Sequence, residues 1–300
     1  LGLPLPTRPP AVAGSFYPAK PDALRAMVDE LVAEAGRRHP TPASLRPASV
    51  AGILVPHAGL VYSGIVAAAG WLALLSSPAP SGPPPTIVLL GTNHGAAWLD
   101  GVGAWDGGPW RTPLGDVATD PELGAAIVDL GPPFAPDARC HLGEHSLEVQ
   151  LPFVARLTPE ARIVALSVGA GTGTPAIAAG ARLGRLLAER RAAGERILLA
   201  ISSDMAHYPA ARVAERVTAT LLPPIVELAP ERLATAEGAL TRDEPGVSCG
   251  MCGIEPTVLG LAALGAMGVR PGVALAAATS ADAGGDPRRT VGYLAVGFAD

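Results

Sequence analysis

The stretch RILLAISSDMAHY, residues 196–208, decides how the chain is read. Its first half is an apolar run with no polar alternation. A strand with one wet face alternates apolar and polar residues, whereas a strand covered on both faces reads as a continuous Val/Ile/Leu-rich run. The run then stops in a polar cluster, with Asp204 and His207 at its end. Two other runs follow the same pattern: SVAGILVP (49–56) leads into His57, and TIVLLG (86–91) leads into His94. A fourth run, ARIVALSVG (161–169), has the same apolar character.

Helix-patterned segments separate these runs. PDALRAMVDELVAEAGRR (21–38) starts at a Pro and spaces Leu24, Met27, Val28, Leu31 and Val32 along one helical face. Further helices are expected over 63–76, 120–130, 146–157, 174–193, 210–228 and 254–268, and closing strands over 273–280 and 290–299. Strand–helix alternation predicts an α/β fold with a central, mostly parallel or mixed sheet flanked by helices. The core pattern resumes on both sides of PAPSGPPP (78–85), so that run is expected to be a surface loop and residues 1–300 a single domain. No glycine-rich nucleotide motif follows any strand.

Composition narrows the function classes. Hydrophobic residues make up 49% of the 300 residues and charged residues 16%, which excludes a disordered chain. Net charge is −5 and Lys20 is the only lysine, so a nucleic-acid partner is not expected. Between Arg46 and Asp100 there is no Asp, Glu, Lys or Arg, but Pro and Gly interrupt that stretch repeatedly. Its longest helical piece, SGIVAAAGWLALLSS, is short of the ~20 residues that span a bilayer, so no membrane segment is expected. The first residues lack a basic region followed by an apolar one, so no signal peptide is expected, and three cysteines do not make a disulfide framework. The expected location is cytoplasmic.

In an open α/β sheet, sites form beyond the carboxyl ends of the strands. One His after a strand is ordinarily a hydrogen-bonded loop residue. Here His57, His94 and His207 repeat one structural position among Gly, Ser, Asn and Pro, which predicts a shared site. LGEHSLEVQLPF (142–153) adds Glu144, His145 and Glu148. Ser146 is expected to cap the helix that follows, with Glu148 in its first turn and Leu147, Leu151 and Val154 facing the core. Cys140 and His141 read as loop residues. Trp98, Trp105 and Trp110 lie near His94 in the sequence and are candidates for the wall of a cleft.

SCGMCGIEP (248–256) places Cys249 and Cys252 in a C-x-x-C spacing. A structural zinc site needs more such ligands than Cys140 supplies. A redox dithiol at a helix start fits the helical segment that follows. A single thiolate joined by two distant histidines would make an open, catalytic metal site. Local sequence leaves the last two readings standing.

Seven motifs, in order along the chain, then resemble one family. VPHAGLVYSG, LLGTNHG, WRTPLGD, EHSLEVQLPF, SSDMAHY, MCGIEP and TVGYLAVGFA, after the opening AGSFYPAKPDAL, are similar to the Memo-like proteins, also called AmmeMemoRadiSam system protein B. That family is similar in fold to the class III extradiol ring-cleaving dioxygenases, which hold non-haem Fe(II) on two His and a carboxylate. The resemblance implies His57, His94 and Cys252 as metal ligands, with the thiolate in the carboxylate's place. It implies His207 as acid/base, with Asp204 beside it and His145 as the remaining pocket histidine; Asp204 or Glu144 would orient His207. Gly95 stands where some relatives carry a second His. The implied cofactor is Fe(II), with Cu or Zn as alternatives favoured by the softer thiolate. The implied function is a redox or oxygen-dependent enzyme acting on a small molecule or peptide. The alternatives are a non-catalytic metal-binding or docking protein working with a radical-SAM protein, and a zinc hydrolase in which Glu144 activates water.

Overall fold

The computed structural model describes residues 6–45, 50–75, 83–169 and 173–300. The apolar runs form β1 (Val50–Val55), β2 (Thr86–Thr92), β7 (Arg162–Val168) and β8 (Ile197–Ser202). These four lie side by side in parallel, in the order β7-β2-β8-β1. Beyond β1 the sheet continues antiparallel through β10 (Gly292–Ala299) and β9 (Val273–Thr279). At the other edge, β5 (Gly115–Thr119) runs parallel to β7 and pairs antiparallel with β4 (Trp110–Thr112). The short β3 (Val102–Ala104) and β6 (Phe134–Pro136) extend the far end of β7. The sheet is therefore mixed, with a parallel centre.

The lack of polar alternation has a direct cause, because both faces of the centre are covered. Val88, Leu90, Leu199 and Ile201 face one apolar cluster, while Ile87, Leu89, Leu198 and Ala200 face the other. The first cluster is closed by α5 (Gly173–Ala192), α6 (Ala211–Val226), α7 (Pro230–Asp243) and α8 (Ile254–Met267). The second is closed by α1 (Pro21–Arg38), α2 (Leu60–Leu75) and α4 (Leu151–Leu157). In α5, a Cβ added at Gly180 would lie 2.2 Å from the Leu259 carbonyl of α8, and one at Gly184 would lie 2.1 Å from that of Ala263. Only glycine allows these two helices to approach that closely.

Topology places the crevice. The chain leaves β1 into α2 on one face of the sheet and leaves β8 into α6 on the other. Adjacent parallel strands that depart to opposite faces open a gap beyond their carboxyl ends. The ends of β2, β8 and β1 are neighbours at that gap.

Several expectations need correction. Residues 146–157 do not form one helix: a 3-10 turn (Glu148–Gln150) precedes α4, whose N-cap Gln150 makes no side-chain capping bond. Ser146 instead donates its hydroxyl to the Thr92 carbonyl at 2.7 Å. Leu147, Leu151 and Val154 do enter the core. The edge strands β3–β6, the helix α3 (Pro121–Val128, inside the expected 120–130) and the polar helix α7 complete the order. The Pro-rich run at 78–85 lies mostly outside the described residues. Among the described residues no helix is long and apolar enough to cross a membrane.

Candidate metal and substrate site

His57, His94 and Asp204 each stand two residues past the end of β1, β2 and β8. The three strand ends bring them to one cleft of about 700 Å³, which His145, His207 and Cys252 also line. The ring centroids of His57 and His94 are 5.4 Å apart, and His145 stacks on His94 at 4.4 Å. Cys252, just before α8, reaches in with its Sγ 3.2 Å from His57 Nε2. One ligand atom from each of His57, His94 and Cys252 lies within 4.8 Å of the others.

The hydrogen bonds around His57 settle its tautomer. Ser202 Oγ lies 2.6 Å from the Ser146 carbonyl, which can only accept, so the single hydroxyl proton goes there. Gln150 Nε2 donates to the same Oγ at 3.0 Å and to the Pro56 carbonyl at 2.9 Å, while Trp71 Nε1 donates to Gln150 Oε1 at 2.8 Å. The 3.0 Å contact between His57 Nδ1 and Ser202 Oγ therefore has the imidazole as donor. His57 Nε2 is left with its lone pair directed at Cys252. Burial, reinforced by the nearby His94, pushes the His57 pKa down to about 3, so the ring is neutral. A neutral imidazole with Nδ1 tied back is the form that binds a metal through Nε2.

His94 is held by Glu144. Asn93 Oδ1 accepts from the Gly95 and Ala96 amides and shapes the turn. Glu144 Oε2 accepts from the His94 amide at 2.5 Å, and Oε1 faces His94 Nδ1 at 2.9 Å. Burial raises the Glu144 pKa, but the bond and charge of His94 outweigh it and bring the carboxyl down to about 2. The carboxylate also accepts from the amides of His145 and Ser146, both at 2.8 Å. Glu144 thus orients His94 rather than His207, and its oxygens are committed to these donors.

Asp204 Oδ1 accepts from the amides of His57 (2.7 Å) and Ala58 (3.2 Å), so this carboxylate builds the turn that presents His57. Its Oδ2 lies 3.9 Å from His207 Nε2, beyond hydrogen-bond length. Burial pushes Asp204 up and His207 down, and their attraction partly offsets both shifts. Burial, aided by Asp204, also drives the Cys252 thiol well up, so without a metal its S–H is the donor to His57 Nε2. Close approach explains Gly253 beside it: an added Cβ would meet Ser203 Cβ at 2.6 Å. Cys249 lines the same cleft, and burial brings its thiol up to about 11.

Five residues are placed elsewhere than the sequence suggests. Glu148 is fully buried and accepts from Arg8 Nη1 (2.6 Å), Tyr17 Oη (2.6 Å) and the amides of Ala11 and Val12. That clamp ties down the N-terminal segment, which lays Phe16 against His145 at 4.7 Å. Trp105 and Trp110 pack in the core around His141 and are not in the cleft. Trp98 is exposed and also lies outside the cleft lining. His141, read from the sequence as a loop residue, ends a 3-10 turn (Ala138–His141) and is fully buried. Sequence reasoning did not single out Phe16, Tyr62, Tyr208, Tyr293 and Arg289, all of which line the cleft. Three of the chain's four tyrosines are among them, a concentration visible only in space.

A family model described as Memo-like protein matches residues 8–297. The chain belongs to the Memo-like family. A MEMO1 family protein of Methanopyrus kandleri is 33% identical over 293 residues, covering 97% of this chain and 98% of that protein. MEMO1 family proteins of Methanocaldococcus jannaschii (95% of this chain, 96% of that protein) and Aquifex aeolicus (97% and 98%) are each 34% identical. A solved Escherichia coli K12 protein described as uncharacterized is 18% identical, with a TM-score of 0.47 over 82% of this chain and 98% of its own.

Proposed function

We propose that this Memo-like protein is a metal-dependent oxidoreductase with a mononuclear non-haem centre on His57, His94 and Cys252, acting on a small molecule in the cleft. The observation that carries the reading is the donor set. Two imidazoles, each with Nδ1 tied back by a hydrogen bond, and one thiol converge within 4.8 Å beyond the parallel centre of a mixed sheet. Structural partners of this kind around ligands are what orient metal-binding histidines. Imidazole and thiolate suit iron, zinc and copper alike, so ferrous iron is chosen on the resemblance to the ring-cleaving dioxygenases.

When bound there, the ion would supply a Lewis-acidic, redox-active centre. The chain's own residues do the rest. Asp204 and Glu144 fix the turns of His57 and His94. His207, kept neutral by burial, takes a proton from a substrate hydroxyl, with Asp204 near enough to stabilise the resulting imidazolium. Cys252 gives up its proton on metal binding, so affinity rises with pH.

Anaerobic reconstitution with ferrous iron followed by elemental analysis tests the reading. Wild type and Cys249→Ser are expected to retain about one equivalent, and His57→Ala and Cys252→Ser to lose it. Full iron in His57→Ala would overturn the ligand set, and zinc or copper as the metal of the anaerobically purified protein would overturn the choice of iron.

A further inference from the structure

The loop between β9 and β10 carries the one Lys or Arg among the residues lining the cleft, Arg289. Its guanidinium lies over the ring of Tyr208 at 4.4 Å. It has no ion-pair or hydrogen-bond partner among the described residues. Asp286, the nearest acidic candidate on the loop, is engaged by Arg288 instead. An exposed cation stacked on a ring is held in place while its N–H fork stays available.

Tyr208 is itself held in an unusual state. Its φ is 69°, in the left-handed region that non-glycine residues rarely occupy, and its side chain is 59% exposed. Backbone pairing pins it there. The Tyr208 amide donates to the Thr290 carbonyl at 2.6 Å, the Thr290 amide donates to the Pro209 carbonyl at 2.8 Å, and His207 bridges to Val291. The segment bearing His207 and the loop bearing Arg289 are thus stitched together across the cleft mouth. Strained residues of this kind persist where the surroundings hold them and concentrate at binding sites.

We propose that Arg289, laid on Tyr208, is the anion-recognising group of the cleft, and that the ligand is a small organic carboxylate. This rests on the cleft being a substrate site. The planar guanidinium fork matches a carboxylate in two-point geometry. Tyr62, Phe16 and Tyr293 offer apolar surface for the body of the molecule, and about 700 Å³ is the volume of a small-molecule site. With its carboxylate at Arg289, the ligand's other end is directed toward His207 and the His57–His94–Cys252 cluster.

Titration calorimetry of the full chain with benzoate and with neutral benzyl alcohol, before and after chelator treatment, tests this. Wild type is expected to bind benzoate at least about ten-fold more tightly in both states, the worth of a charge-assisted pair. Arg289→Gln should erase that preference and Arg289→Lys should keep part of it, both with unchanged thermal unfolding. Three results would overturn the proposal: no preference in wild type, a preserved preference in Arg289→Gln, or a preference that disappears on chelation. The last would assign the carboxylate to the metal. Absence of iron in the reconstitution experiment would leave the titration after chelation unaffected, so the two readings fail separately.

Discussion

At the scale of single residues, the site depends on groups that touch no ligand themselves. Glu144 is the clearest case. It is buried, sits well below the ordinary carboxylate pKa, and spends its oxygens on His94 and on the amides of His145 and Ser146. Glu144→Gln replaces an acceptor by a donor amid N–H groups, so His94 loses its fixed orientation. Ferrous iron affinity is expected to fall about 10–100-fold, read by anaerobic competition with a chelator. Unchanged affinity would mean His94 is oriented by its stacking on His145 alone. Sequence located Glu144 near the site but could not say which imidazole it serves, because residues 94 and 144 are joined only through the fold. Ser202 and Gln150 are a similar case: nothing local marks a serine in a strand as the partner of His57, or a glutamine before a helix as the donor that holds that serine. The two cysteines of the C-x-x-C are likewise told apart only in space, since Cys252 Sγ faces His57 Nε2 while Cys249 lies elsewhere along the cleft lining.

At the scale of elements, the apolar runs were legible because burial on both faces leaves an unbroken Val/Ile/Leu signature. The short edge strands were not. WRTPLGD (110–116) lies in a hairpin of three- and five-residue strands with exposed polar positions, too brief for any period to register. Helix α7 was missed for the opposite reason: only Pro230 and Leu233 of its fourteen residues are buried, so its apolar face is faint. The contact between α5 and α8 bears on the proposed centre because Cys252 lies two residues before the start of α8. Gly184→Ala would drive a methyl to within 2.1 Å of the Ala263 carbonyl and push the helices apart. A loss of about 1–3 kcal/mol is expected in urea denaturation, with reduced iron retention as α8 shifts. Wild-type stability in this variant would show that the helices move apart at no cost.

At the scale of the whole molecule, acid sensitivity follows from a histidine outside the cleft. His141 is fully buried, faces the Gly103 carbonyl through Nε2 at 3.0 Å, and has no partner at Nδ1 among the described residues. Burial pushes its pKa down from 6.5 to about 4, with Arg8 adding to the shift. The unfolded chain therefore binds a proton at pH values where the folded chain does not. Stability is highest above pH 6.5 and falls as pH drops toward 4, by roughly 3 kcal/mol from this group. Denaturation curves at pH 7 and pH 4.5 should differ by less in His141→Gln than in wild type; equal differences would remove His141 as a source of the acid sensitivity.

The sequence by itself determined the α/β class, the family and the histidines and cysteines that line the cleft, because burial on both faces and functional motifs each leave local patterns. Tertiary structure alone decided that β8 lies between β1 and β2, which brings three separated strand ends into one cleft. It also decided that Glu144 serves His94, that Glu148 clamps the N-terminal segment, and that Arg289 lies on Tyr208. Those pairings join residues about 50 to 140 positions apart or on separate loops, and their energies exist only once the sheet order has closed the distance.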